Sequence, residues 1–397
     1  MDDPFQHAHD AHIVRSLTRS FERRQLRYFL VLLSLTLLLL ARTFSSSSPS
    51  SSHATPHTIH PTLVGPRPVS APSGKALYSS CTADELLGSL AKAVVRPDGA
   101  SRFPNFTKPE SVALPEFEWS FDLAEVEESG KQCAPMKVYS TEEACELVSA
   151  FSGIYTTGDS FARHVHSAFL MLLHGRLDGA VTDYLETDDC RGDQLFDDGK
   201  GCRERIFADT NTQERVCGGL ANLGFVQTYQ PNPISFSVFN EWHARLPSRS
   251  HLYSPVYITG LGGHFDYTPS TLLSSSYLDT LFSTLSRHFP TPLNLFMGPH
   301  APGENQQPQY NARQGPQRVK AFAEQVPGLL RERSTEKEMG RGGARYVDFF
   351  ASTEGAKSYD GVHYSYQVNM EKAQVFLNLL DIAWGQIAER GGMVVRG

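Results

Sequence analysis

Three residue types lying far apart in this chain can together carry nucleophilic acyl chemistry. Gly158-Asp159-Ser160 supplies a hydroxyl, and Asp360-Gly-Val-His363 supplies a carboxylate and an imidazole. A serine hydroxyl is a poor nucleophile until a base within hydrogen-bond reach takes its proton, and that base needs a carboxylate to fix its tautomer. Ser160, His363 and Asp360 fill those three roles. Taken alone, the Gly-Asp-Ser triplet is also what a capped helix start looks like, with Asp159 or Ser160 as the cap. The distant Asp-x-x-His changes that balance, because chain order and spacing then match one chemical task.

The flanking segments are what must bring these groups together. Ala150 to Thr157 mixes apolar and β-branched residues and predicts a short buried strand. Phe161, Val165, Ala168, Phe169, Leu172 and Leu173 recur at helical spacing directly after it. Ser160 therefore sits on a strand-to-helix turn, where unpaired N–H groups and the positive dipole end stabilise an oxyanion. At the other end, Asp360 and His363 occupy a turn before an amphipathic helix expected over 366–387. Helices are further expected over 83–95, over 141–148 with Ser140 or Thr141 as cap, and over 272–288 and 317–333. Strands are expected over 222–230, 251–259, 292–297 and 345–350. Strands alternating with helices predict an α/β sandwich with a mainly parallel sheet and its site at the strands' carboxyl ends.

With Gly158-Asp159-Ser160 opening the domain and Asp360-x-x-His363 closing it, the chain resembles the SGNH/GDSL hydrolase superfamily. Within it, the likeness is to the PC-esterase group, which includes trichome birefringence-like polysaccharide O-acetyltransferases and the lumenal domains of sialic-acid and capsule O-acetyltransferases. Arg163 matches an arginine that typically follows the triplet there. The likeness spans roughly residues 133–387. It implies a flavodoxin-like, three-layer core of five strands. It also implies acetyl transfer to a glycan hydroxyl through an acyl-serine, with hydrolysis by the same triad as the alternative. A non-catalytic glycan binder is the third reading, against which the intact Ser160, Asp360 and His363 weigh. No bound cofactor is implied; an acetyl donor is a co-substrate, delivered by a separate transporter.

The likeness also places a Gly-His segment after a strand, beside backbone that binds the oxyanion. Gly262, Gly263 and His264 stand in that position, and glycines there allow close approach of N–H groups to substrate. A plain glycine turn with a surface histidine fits the same letters. Gly158 and Asp159 belong with them as substrate-side candidates, and Arg163 either orients the site, binds an acidic substrate group or forms a structural ion pair. No Gly-x-Asn-Asp block occurs, so an oxyanion asparagine rests between Asn222 and Asn240.

A net charge of −7 over 397 residues, with no basic block in the globular part, argues against a nucleic-acid partner. Residues 1–27 are polar and end in an arginine cluster. Tyr28 to Ala41 is apolar but short, since a bilayer span needs about 17–25 residues. Stretched from Leu26 to Phe44 it brings in Arg27 and Arg42, which can snorkel, and 28–44 reads as a type II signal anchor. A cleaved signal peptide is the alternative, and a buried helix fits badly because the run is apolar on every face. Residues 45–75 are Ser/Pro-rich and form a stem without a core. Residues 76–140 make an amino-terminal arm, and 141–390 the catalytic domain. That layout suits a Golgi or other secretory-pathway membrane with the domain in the lumen.

All 6 cysteines follow the apolar run, as disulfides in an oxidising lumen would. Their pairing is open, although Cys190 with Cys202 or Cys217 would staple a long polar loop. Asn105-Phe-Thr107 is a glycosylation sequon. Leu114 to Trp119 either contacts sugar or packs along the domain. The aspartates between Asp188 and Asp198 lack calcium-loop spacing and read as a solvated surface excursion. His164 and His166 point to different sides of a helix, so no metal is expected there. His300 could serve as a second base, but it has no partner motif and is expected to be a loop histidine.

Overall fold

The computed structural model describes residues 81–96, 113–114, 116–124, 136–151, 153–179, 211–231, 238, 255–274, 277–278, 293–333, 344–356 and 358–391. The expected tail, anchor, stem, sequon and acidic excursion lie outside these residues. Among the described residues no helix is long and apolar enough to cross a membrane.

In chain order the elements are α1 (Ala83–Leu90), β1 (Val94–Val95), β2 (Phe121–Asp122), α2 (Thr141–Ala150), β3 (Ile154–Gly158) and α3 (Ser160–His174). Next come β4 (Asn211–Val216), β5 (Ala221–Gln227), β6 (Val256–Gly260), α4 (Pro269–Ser274), β7 (Leu293–His300), α5 (Pro308–Gln314) and α6 (Pro316–Arg333). The last are β8 (Arg345–Phe349), α7 (Phe350–Thr353) and α8 (Tyr366–Gly391).

The main sheet has six strands in the order β4-β5-β3-β6-β7-β8. All pairings are parallel except β4 with β5. Setting β4 aside, the parallel strands run in the flavodoxin-like order 2-1-3-4-5. β3 lies between β5 and β6, with Ile154 opposite both Leu223 and Val256. Every residue of β3 and β6 is buried, which is why both read as continuous apolar and β-branched runs rather than alternating ones. α2, α3 and α8 pack on one another over one part of the sheet, while α4 and α6 pack together by β7 and β8.

Local chemistry explains the element ends. Ser140 caps α2 and trades hydrogen bonds with Glu143 in a capping box, worth about 1 kcal/mol. Gly175 in the left-handed conformation closes α3. The helix expected over 83–95 stops at Leu90, because Val94 and Val95 pair with β2 instead.

The described part departs from expectation in three further ways. The five-stranded core gains a sixth strand, β4, whose polar sequence carries no buried alternation. An edge strand tolerates that, and Glu214 there pairs with His174 at 2.9 Å. Cys217 bonds to Cys145, not to Cys190, and pins the β4–β5 turn to α2. Closing a loop with a sequence separation of 72 removes on the order of 4 kcal/mol of unfolded-state entropy. The strand expected over 292–297 continues through Gly298-Pro-His300.

α8 is more than an amphipathic cover. Its buried Gln374 exchanges hydrogen bonds with the backbone of Tyr139, and Asn378 does the same for Lys137. Glu371 accepts from Ser120 N–H at 2.7 Å. The arm segments 116–124 and 136–139 are thus held along this helix, with Phe117, Trp119 and Phe121 ring to ring against the core.

Candidate active site

The first parallel strand and the helix after it set the serine. Asp159 caps α3 with its Oδ1 accepting Phe161 N–H at 3.0 Å, which leaves Ser160 as the first helical residue. Gly158 is required by crowding: a Cβ there would lie 2.0 Å from the Gly260 carbonyl oxygen. The turn can therefore pass over the end of β6 only as glycine.

The second piece is a rigid turn. Asp360 Oδ1 accepts N–H bonds from Val362 at 2.8 Å and from His363 at 2.7 Å. Gly361 has φ 84°, and any side chain there would strike Gln306. Asn305 donates to the Ser358 and Tyr359 carbonyls, and Ser358 donates to the His363 carbonyl at 2.7 Å.

These two pieces meet. His363 Nε2 lies 2.8 Å from Ser160 Oγ, and His363 Nδ1 lies 2.7 Å from Asp360 Oδ2. Burial works against the Asp360 charge, but hydrogen bonds from the His363 ring and from the His363 and Val362 amides outweigh it. Its carboxyl is held well below the usual range. An ionised Asp360 requires the proton of a neutral His363 on Nδ1. Nε2 is then an acceptor facing the serine hydroxyl. Ser160 and His363 are almost wholly buried, and they form the floor of a cleft of about 390 Å³. Phe161, Gly263, His264, Gln307, Tyr310 and Gln314 line its walls.

The remaining expected residues fall in different places. Arg163 is buried and its guanidinium reaches Gln227 Oε1 at the end of β5. Burial pushes the Asp159 carboxyl up to about 6, against the amides of Phe161, Gly263 and Gly262 and the charge of Arg163. The two glycine amides approach this carboxylate without full hydrogen-bond geometry at Oδ2. Gly262 and Gly263 thus face Asp159, and Gly263 faces the cleft as well. His264 is exposed on the rim, edge-on to Tyr229 at 4.5 Å. Partial burial, then the charges of His363 and Arg163, lower its pKa.

Three expectations need correcting or are filled in by the fold. Asn222 is the second residue of β5, at the end of the sheet away from Ser160, and so is removed as an oxyanion donor. Asn240 lies outside the described residues. His300 is not a loop histidine: it is 5% exposed, at the end of β7, and bonds to the Val362 carbonyl. His164 lies 5.1 Å, ring to ring, from His363, whereas His166 packs on Phe225. No metal-holding cluster occurs among the described residues. Gln307, Tyr310 and Gln314 belong to the Gln/Asn/Pro-rich stretch after β7, whose place beyond a strand's carboxyl end marks it as a cleft former. It forms α5 where a loop was expected, and no pattern in it names the residues that face the cleft.

No family model and no curated protein matches the chain. Among solved structures it is similar to Est24, a carbohydrate acetylesterase from Sinorhizobium meliloti. That match has 11% identity and a TM-score of 0.29, over 60% of this chain and 99% of the other. It is also similar to the native aryl esterase of M. smegmatis, at 15% identity and a TM-score of 0.28, with the same coverage. Likeness of this degree assigns neither family nor activity, so the functional reading rests on the geometry of the site.

Proposed function

We propose that the protein is an SGNH-type serine esterase that removes O-acyl, chiefly O-acetyl, groups from a carbohydrate. The observation that carries this reading is the Ser160–His363–Asp360 hydrogen-bond series on the floor of a cleft. His363 Nε2 takes the hydroxyl proton as Ser160 Oγ attacks the ester carbonyl carbon. The Ser160 N–H, at the start of α3, is the donor for the developing oxyanion, since the Gly262 and Gly263 amides are turned to the Asp159 carboxylate; one such donor is worth about 3–4 kcal/mol. Collapse breaks the ester C–O bond, and the sugar oxygen leaves with the proton from His363. Water, deprotonated by the same imidazole, then attacks the acyl-serine and releases acetate while Ser160 recovers its proton.

The carbohydrate is supported by the walls: Gln307, Gln314, Tyr310 and His264 offer amides, a phenol and an imidazole, with Tyr229 behind them. Such groups suit sugar hydroxyls and ring faces. The O-acetyltransferase reading from the PC-esterase likeness uses the same acyl-serine with a sugar hydroxyl in place of water. The anchor at 28–44, the lumenal setting and a separate acetyl-donor supply belong to that proposal.

The full chain, incubated in separate assays with an O-acetylated oligosaccharide and with a fluorophosphonate probe, tests both. Acetate release and probe labelling that vanish together in Ser160→Ala support the esterase. Acetyl appearing on an added acceptor sugar supports transfer. Acetate release that persists in Ser160→Ala would sink the acyl-serine mechanism.

A further inference from the structure

We propose that His300 and Lys372 are positioning residues that hold the Asp360 carboxylate against His363, acting through the peptide group that joins Val362 to His363. The proposal rests on reading Ser160, His363 and Asp360 as a catalytic triad.

The bonds run in one direction. Lys372 Nζ lies 2.8 Å from His300 Nδ1, and an amine donates there in either protonation state. His300 Nε2 lies 2.7 Å from the Val362 carbonyl, which only accepts, so Nε2 carries the ring proton. The N–H of that same peptide group donates to Asp360 Oδ1 at 2.7 Å. Asp360 Oδ2 then accepts from the His363 ring, and His363 faces Ser160. Each donor polarises the next in the same sense. Packing alone would not ask for this arrangement. Lys372 is 2% exposed and forms no ion pair among the described residues, and a buried amine costs far more than an apolar side chain of that volume.

The surroundings keep His300 neutral. Burial and the nearby Lys372 push its pKa well below the ordinary histidine value, against its bond to Val362. Burial likewise lowers Lys372 to about 7, against the charges of Glu371 on its own helix and Asp159 on the α3 cap. The rings of Phe349 and Tyr364 face Lys372, and those of Phe161 and Tyr364 face His300. His363 and Asp360 complete the charged neighbours of His300.

The test compares full-chain wild type with His300→Leu, His300→Gln and Lys372→Met, using p-nitrophenyl acetate between pH 5 and pH 9. His300→Leu lowers kcat about 100-fold, with KM changed less than about twofold, because the turn loses its anchor rather than its substrate contacts. Loss of the donor leaves more of the Asp360 charge on His363, so the acid limb of kcat/KM moves to higher pH. Lys372→Met moves it the same way by removing the first donor of the series, which polarises His300. His300→Gln, whose side-chain amide can still donate to Val362, recovers at least about tenfold over His300→Leu. Wild-type kcat in a folded His300→Leu overturns the proposal. So does an unmoved acid limb in Lys372→Met, which decides the matter if His300→Leu does not fold. If turnover survives Ser160→Ala, the triad reading itself fails and takes this proposal with it. If Ser160→Ala is inactive but both other sites behave as wild type, only the positioning role fails.

Discussion

Replacing Asp360 with asparagine is the sharpest test of the triad, because it changes one atom and its result follows from hydrogen-bond directions. In the native site Oδ1 accepts two backbone N–H groups, at 2.7 and 2.8 Å. Only an oxygen can occupy that place, so the new amide must turn its NH2 group to the Oδ2 position, 2.7 Å from His363 Nδ1. An amide NH2 donates, so it selects the imidazole tautomer with a bare Nδ1 and a proton on Nε2. That proton now faces Ser160 Oγ across 2.8 Å, where an acceptor is needed. The base is lost with little change in shape. Replacing a triad carboxylate by its amide in this way costs on the order of 10⁴-fold in kcat, or about 5.4 kcal/mol of transition-state stabilisation. The assay is kcat for p-nitrophenyl acetate at pH 8, with the thermal midpoint measured alongside to show that the turn still folds. A folded Asp360→Asn enzyme with activity within about tenfold of wild type would refute the tautomer argument.

Two further substitutions probe the elements that set the site. The Asp159 carboxyl titrates near 6 when folded against 3.8 when unfolded, so its contribution is stabilising below pH 3.8 and is lost as pH rises through about 6. Asp159→Asn, which keeps an oxygen for Phe161 N–H, should therefore gain in relative stability between pH 4 and pH 7.5. The gain is on the order of 3 kcal/mol at the upper end, and a pH-independent difference in denaturation midpoint would contradict it. Gly361→Ala forces a side chain into a left-handed turn and to within 2.0 Å of Gln306 Cα. It should cost about 3 kcal/mol or more in urea denaturation and lower kcat through the displaced turn; an unchanged midpoint would show that the turn relaxes freely.

Much of this architecture was legible in the letters, and the reason differs by element. β3 and β6 declared themselves because a strand buried on both faces must be apolar or β-branched throughout. α2 declared itself through its capping box, and the Gly-Asp-Ser turn through a buried-strand run passing directly into helical spacing. β4 did not, since an edge strand can carry polar residues and so lacks a pattern. His300 was misread because Gly298-Pro299 looks like a strand end, yet the strand runs on to place the imidazole beneath Val362.

The sequence by itself determined which groups could do chemistry: a hydroxyl at a helix start, and an imidazole three residues after a carboxylate. Those features are local, fixed by residue type and by spacings of a few positions. Only the tertiary structure decided that the two stretches, 203 positions apart, touch at 2.8 Å. It alone recruited Gln307, Tyr310, Gln314, His300 and Lys372 around them, and paired Cys217 with Cys145. Contacts of that kind depend on how sheet order and helix packing fold distant segments onto one another, and no short-range pattern encodes them.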